Sequence, residues 1–145
     1  MTPEEAYIKA GEEGPSDLTR NIACQAPRYA YWYALNIDKE PLTQTRNAAC
    51  QSPSSAYWYA LGVDKKPSKQ TRDVACQAPR YAYWYALNVD KKPSKQTRNA
   101  ACQDPSYAYH YAKNIDKEPL QETWRAVLNT PYEEEYTNWA DKIDE

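Results

Sequence analysis

The sequence predicts an all-α fold: an α-solenoid of about five stacked 26-residue helix–turn–helix repeats with polar capping helices. Three observations predict it. The first is self-similarity. Aligned without gaps, the segments beginning at Thr19, Thr45, Thr71 and Thr97 run from TRNIACQAPRYAYWYALNIDKEPLTQ to TRNAACQDPSYAYHYAKNIDKEPLQE, and 13 of the 26 columns are identical in all four. A degenerate fifth copy keeps Thr123, Ala126 and Pro131 in register. The second is periodicity. Around a helical wheel, the columns of Pro27, Ala30, Tyr31, Tyr33 and Ala34 fall in one arc of about 160° and never vary. Those of Arg28, Tyr29, Trp32, Leu35 and Asn36 fill the opposite arc and all vary. A strand would alternate with period two, and these columns do not. The third is punctuation, because a Pro precedes every AYxYA segment.

These observations assign the chain in order. Residues 1–18 form an amino-terminal cap, in which Thr2-Pro3-Glu4-Glu5 reads as a helix start before Gly11. Residues 19–122 hold the four repeats. In each, a first helix covers the TRxxACQ stretch and a second begins at the Pro of the Pro27 column, where the missing N–H costs nothing. Gly62, with Asn36, Asn88 and Asn114 in the same column, suits a left-handed residue ending the second helix. Pro41 suits the first turn of the next first helix. Ala30, Ala56, Ala82 and Ala108 let helices approach closely. Residues 123–145 form the degenerate repeat and carboxyl-terminal cap, with Glu133, Glu134 and Glu135 in place of apolar columns.

The TRxxACQxP helix followed by AYxYA resembles the short two-helix repeats of the armadillo/HEAT class, in particular its leucine-rich-variant pattern. The resemblance covers Thr19 to roughly Asn129. The Tyr-rich tandem units are also similar to those of uncharacterised proteins of tailed phages. It implies a binding scaffold, in a phage setting one that blocks a host factor, and supplies no active site.

Composition narrows the function. The chain is 41% hydrophobic and 26% charged, with no apolar run long enough to span a membrane. MTPEEAYIKA opens with acids and lacks the apolar core of a secretory signal. Cys24, Cys50, Cys76 and Cys102 recur once per repeat. Equivalent points in stacked helices lie about 10 Å apart, too far for disulfides, so buried thiols and a reducing, cytoplasmic setting are expected. Arg20, Arg46, Arg72 and Arg98 recur with Asp38, Asp64, Asp90 and Asp116, which predicts a structural Arg–Asp ladder. His110 is the one histidine and stands in a variable column without a marked nucleophile. No phosphate-loop, dinucleotide or nucleophile-elbow motif occurs. No catalytic set, metal site or cofactor is therefore expected.

Two surfaces remain as binding candidates. Trp32, Trp58, Trp84 and His110 fall opposite the inferred buried arc, flanked by Arg28, Arg80, Tyr29 and Tyr81. Aromatic residues with Arg are the usual content of a protein-binding hot spot, so a protein partner is the first expectation. Charge supplies the alternative. The net charge is -2, yet the second and third repeats are each +3 while both ends are acidic. Lys65, Lys66 and Lys69, with Lys91, Lys92 and Lys95, are expected at first-helix starts, where cations oppose the helix dipole and an anion would be welcome. That reading makes the chain a sequestrant of a nucleotide or other phosphate ligand, or a nucleic-acid binder. The acidic ends argue against end-to-end polymers and leave a monomer or a side-to-side dimer.

Overall fold

A computed structural model of the chain describes residues 1–143; residues 144 and 145 of the expected carboxyl-terminal piece lie outside the described residues. The described residues form helices and turns, with no strand among them. They fall into two compact units, Met1–Ala75 and the chain from Cys76 onward, so the third repeat contributes to both.

The first unit contains α1 (Pro3–Glu13), α2 (Asp17–Ala23), α3 (Pro27–Tyr33), α4 (Thr43–Ala49), α5 (Pro53–Tyr59) and α6 (Lys69–Ala75). Here α1 lies on α2, α3 on α4 and α5 on α6, while α1, α3 and α5 follow one another side by side. The second unit contains α7 (Pro79–Tyr85), α8 (Lys95–Ala101), α9 (Pro105–Tyr111), α10 (Gln121–Val127) and α11 (Glu133–Ile143). It repeats the pattern: α7 lies on α8 and α9 on α10, α7 neighbours α9, and α11 closes against α10. Within each unit the helix pairs are packed in series, the arrangement of an α-solenoid.

Seven-residue helices are too short to stand alone in water, so packing must hold them. The fixed alanines do this. Ala23, Ala49, Ala75 and Ala101 on first helices, and Ala30, Ala56, Ala82 and Ala108 on second helices, are fully buried. The Pro of every second helix occupies its first turn, as its column predicts.

Three local expectations are corrected. Second helices do not end at the Asn/Gly column. Each widens instead into a π-helical turn, Ala34–Asp38, Ala60–Asp64, Ala86–Asp90 and Ala112–Asp116. The left-handed residue is the Lys that follows: Lys39, Lys65 and Lys91 at φ 57° and Lys117 at φ 59°. The asparagines serve elsewhere. Asn36 Nδ2 donates to the Tyr7 hydroxyl and Asn114 Nδ2 to the Tyr83 hydroxyl, both at 2.8 Å. Nor is Pro41 in a first turn, because α4 begins at Thr43 with Leu42 as its N-cap residue. Finally, α1 runs past Gly11 to Glu13, opened by a reciprocal cap. Glu5 N donates to Thr2 Oγ1 at 3.1 Å, and Thr2 N to Glu5 Oε1 at 3.2 Å.

The cap helix α1 is itself a copy of a second helix. Pro3, Ala6, Tyr7 and Ala10 match Pro27, Ala30, Tyr31 and Ala34, and Ala6 and Ala10 are buried like their counterparts. That spacing stands in the sequence but is masked there by Lys9 in place of the second tyrosine.

Candidate functional site

Side chains that could meet a partner are carried by the second helices, and a repeated clamp positions those helices. Its first half is a tyrosine hydroxyl. Tyr33, Tyr59 and Tyr111 are fully buried, each with its hydroxyl 2.7–2.8 Å from the hydroxyl of Thr19, Thr45 or Thr97. The same hydroxyl meets the backbone at the start of the first helix. Leu42 N donates to the Tyr59 hydroxyl, which approaches Leu42 O, both at 3.1 Å. Ser94 and Tyr111 repeat this geometry at 2.9 and 3.1 Å. The tyrosine thus caps the first helix of its own repeat and ties the second helix to it. In α11, Tyr136 takes the role, 2.7 Å from Thr123 Oγ1.

The second half is ionic. Arg20, Arg46 and Arg98 each place two guanidinium nitrogens on Asp38, Asp64 and Asp116, with shortest contacts of 2.6, 2.6 and 2.7 Å. The three carboxylates are almost completely buried. The hydrogen bonds to these carboxylates raise all three guanidinium pKa values above the usual arginine range. Each Arg also lies 5.5–5.7 Å above the ring of its clamp tyrosine. In the fifth copy Trp124 takes the Arg column, and its ring lies 5.5 Å from Tyr136. The expected Arg–Asp ladder is therefore internal to the repeats in these three cases. A guanidinium engaged in this way is withdrawn from ligand recognition. The wide π-helical turn has a role here, since it ends in the Asp that reaches back to Arg.

The variable columns lie outside this clamp. In the first unit, Tyr29 and Trp32 of α3 meet Tyr7 of α1. Tyr29 and Trp32 stand edge to face at 5.3 Å, both rings lie 6.0 Å from Tyr7, and Arg28 covers Tyr29 and Trp32 at 5.3 and 5.4 Å. Trp32 nonetheless keeps 36% of its surface exposed. Trp58 on α5 keeps 41%, touching Tyr57 edge to face at 5.0 Å. In the second unit, Tyr81 meets Trp84 edge to face at 5.6 Å. Arg80 lies 6.0 Å above Trp84 and donates from Nε to the Tyr107 hydroxyl at 3.1 Å. His110 is exposed, between Tyr83 at 6.2 Å and Tyr109 at 5.3 Å. Trp84 is half-buried. A shared rule emerges. Trp32 and His110 each pack on a tyrosine one helix pair earlier, Tyr7 of α1 or Tyr83 of α7, which match the Tyr31 column. One ring face supports the stack and the remaining surface stays available.

The six lysines separate. Lys69 and Lys95 occupy first positions of α6 and α8, and Lys69 Nζ lies 2.6 Å from Asp73. Lys65, Lys66, Lys91 and Lys92 are not at helix starts. Lys65 and Lys91 close the preceding π-helical turns, at the C-terminal end of that dipole, where a cation is favoured. A groove of about 390 Å³ in the second unit gathers Lys91 and Lys92 with Lys117.

The thiols are half-buried rather than fully buried. Burial pushes Cys24, Cys50 and Cys102 up to about 11 from an ordinary 9.0. Cys24 and Cys102 Sγ donate to the Gln44 and Glu122 carbonyls at 4.0 and 3.7 Å. Protonated thiols of this kind are weak nucleophiles. Among the described residues no three His, Cys, Asp or Glu side chains converge as metal ligands, and no helix is long and apolar enough to cross a membrane. Glu133, Glu134 and Glu135 form the first turn of α11, where acids favour the helix dipole.

Comparison with protein-family models, curated proteins and solved structures finds no match to this chain; what the structure shows is a helical repeat of helix pairs packed side by side.

Proposed function

We propose that the protein is a non-enzymatic binding scaffold that recognises a protein partner through the aromatic and arginine side chains of its second helices. One observation carries this reading. The fixed alanines, threonines and clamp tyrosines are consumed by the fold, whereas Trp32 and Trp58 remain over a third exposed on helices held rigid by the clamp. Indole surface left in water on a preorganised support, with Arg28 stacked beside Trp32, is the chemistry of an interface hot spot. Kinship with armadillo/HEAT repeats, a phage-encoded origin and the blocking of a host factor in the cytoplasm extend the same proposal. The protonated, half-buried Cys24, Cys50 and Cys102 suit that reducing setting. A side-to-side dimer through the tryptophans is the competing occupant of this surface.

The test is affinity capture with the full chain, followed by titration of the recovered partner against Trp58→Ala and Trp58→Ala/Trp84→Ala. Loss of about tenfold or more in affinity, with little change between low and physiological salt, supports the reading. Binding untouched by both variants refutes it. Sedimentation of the free chain as a dimer that W58A dissociates would assign the surface to self-association instead.

A further inference from the structure

The groove between the turns that follow α7 and α9 holds three positive charges, one more than the ends of its two π-helical turns account for. Lys91, Lys92 and Lys117 line it together with Leu87, Asn114 and Ile115. The same columns line a groove of equal size in the first unit, where Lys39, Glu40 and Lys65 stand with Leu35, Gly62 and Val63. The geometry is therefore a product of the repeat, and its charge is set by one variable column. That column reads Lys92 in one groove and Glu40 in the other. Among the residues lining the second-unit groove none is acidic.

The helix dipole accounts for part of this. A cation at the end of a π-helical turn is favourable, which offsets the cost of a left-handed backbone at Lys91 and Lys117. It does not account for Lys92, one position further on. Adding a third ammonium to the two already there raises their mutual repulsion, and an anion seated among them reverses that sign. Asn114 is oriented by donating Nδ2 to Tyr83, which leaves its Oδ1 able to accept. Leu87, over a third exposed, and Ile115 give the groove an apolar wall.

We propose that this groove binds a nucleoside diphosphate. Its pyrophosphate is neutralised by Lys91, Lys92 and Lys117, the nucleoside rests on Leu87 and Ile115, and Asn114 Oδ1 accepts from a sugar or base donor. A volume of about 390 Å³ is that of a small-ligand site. From Cys76 onward the chain is net acidic, which disfavours a long polyanion and favours one compact anion held locally. This site is separate from the aromatic columns and stands or falls without them.

Isothermal titration of the full chain with ADP, pyrophosphate, adenosine and a single-stranded oligonucleotide tests the proposal. ADP is expected to bind more tightly than pyrophosphate, with adenosine weakest, and to weaken as salt rises. Lys92→Glu gives this groove the charge pattern of the first-unit groove and is expected to lose one bound equivalent, an affinity loss of about tenfold or more. Glu40→Lys is expected to add one equivalent. Both side chains are exposed, so folding is preserved, and an unchanged circular-dichroism spectrum checks this. The proposal is overturned if ADP does not bind, if Lys92→Glu leaves ADP binding intact, or if the oligonucleotide binds and ADP does not. Equal affinity for ADP and pyrophosphate overturns the assignment of the nucleoside.

Discussion

The hydroxyl of Tyr59 lies 2.7 Å from Oγ1 of Thr45, fourteen residues back, and both groups are completely buried. This contact explains why two of the fixed columns hold Thr and Tyr rather than any apolar pair. Tyr59 also satisfies the N–H and C=O of Leu42, a residue that cannot cap α4 with its own side chain. No buried side-chain nitrogen or oxygen among the described residues lacks a hydrogen-bond partner.

Tyr59→Phe removes a single oxygen and leaves the Leu42 N–H without its partner, while Leu42 O keeps Arg46 N and Thr45 Oγ1. The expected loss is about 1–3 kcal/mol, read as a lower midpoint in thermal unfolding with little change in helical signal. Thr45→Val should cost less, because the Leu42 N–H still finds the tyrosine.

Asp116 tests the ionic half. Asp116→Asn leaves Arg98 facing a neutral amide in a site where the carboxylate was almost fully buried. The expected loss is about 3 kcal/mol, and the double change Arg98→Met/Asp116→Leu should recover much of it, since paired removal leaves no stranded charge. Urea unfolding of the three variants measures both.

Much of this architecture was legible in the sequence, for reasons the structure makes concrete. Fixed alanines mark the buried face, Pro27 and its equivalents mark helix starts, and Arg20 with Asp38 marks an ion pair. The π-helical turn was not legible, because no residue type announces it. The left-handed position is hidden for a related reason. Glycine and asparagine are the usual signals, and here the chain places Lys39 in that conformation and keeps Asn36 for Tyr7. The lysine groove was missed in part because Lys117 belongs to a later repeat than Lys91 and Lys92 and is brought beside them only by the fold.

Gly62 is the exception among the asparagines, and it leaves Tyr31 without the partner that Asn36 gives Tyr7. A Cβ at Gly62 would stand 3.3 Å from the Tyr31 hydroxyl and 3.7 Å from Leu35 Cδ1, a tight fit met by a small shift of the tyrosine. Gly62→Asn is expected to raise stability by about 1 kcal/mol, from the lost glycine penalty and the new hydrogen bond. Calorimetry that finds a lower midpoint would show that the ring cannot yield.

Alkaline pH should weaken the fold through its thiols. Cys24, Cys50 and Cys102 stay protonated up to about 11 when folded but ionise near 9.0 when exposed. A folded pKa above the unfolded one gives stability that is complete below pH 9.0 and declines as pH climbs to about 11. Denaturant midpoints across that window should fall. The slope should flatten in Cys24→Ala/Cys50→Ala/Cys102→Ala.

Trp58 and Tyr59 are sequence neighbours given opposite tasks: one keeps 41% of its surface in water, the other keeps none. Thermal unfolding of Trp58→Ala and Tyr59→Phe, compared side by side, tests the division between fold and recognition most directly. The account predicts a midpoint several degrees lower for Tyr59→Phe, at about 4 °C per kcal/mol, and a change within about 2 °C for Trp58→Ala. A fall for Trp58→Ala as large as that for Tyr59→Phe would contradict it, placing the tryptophan in the structural core.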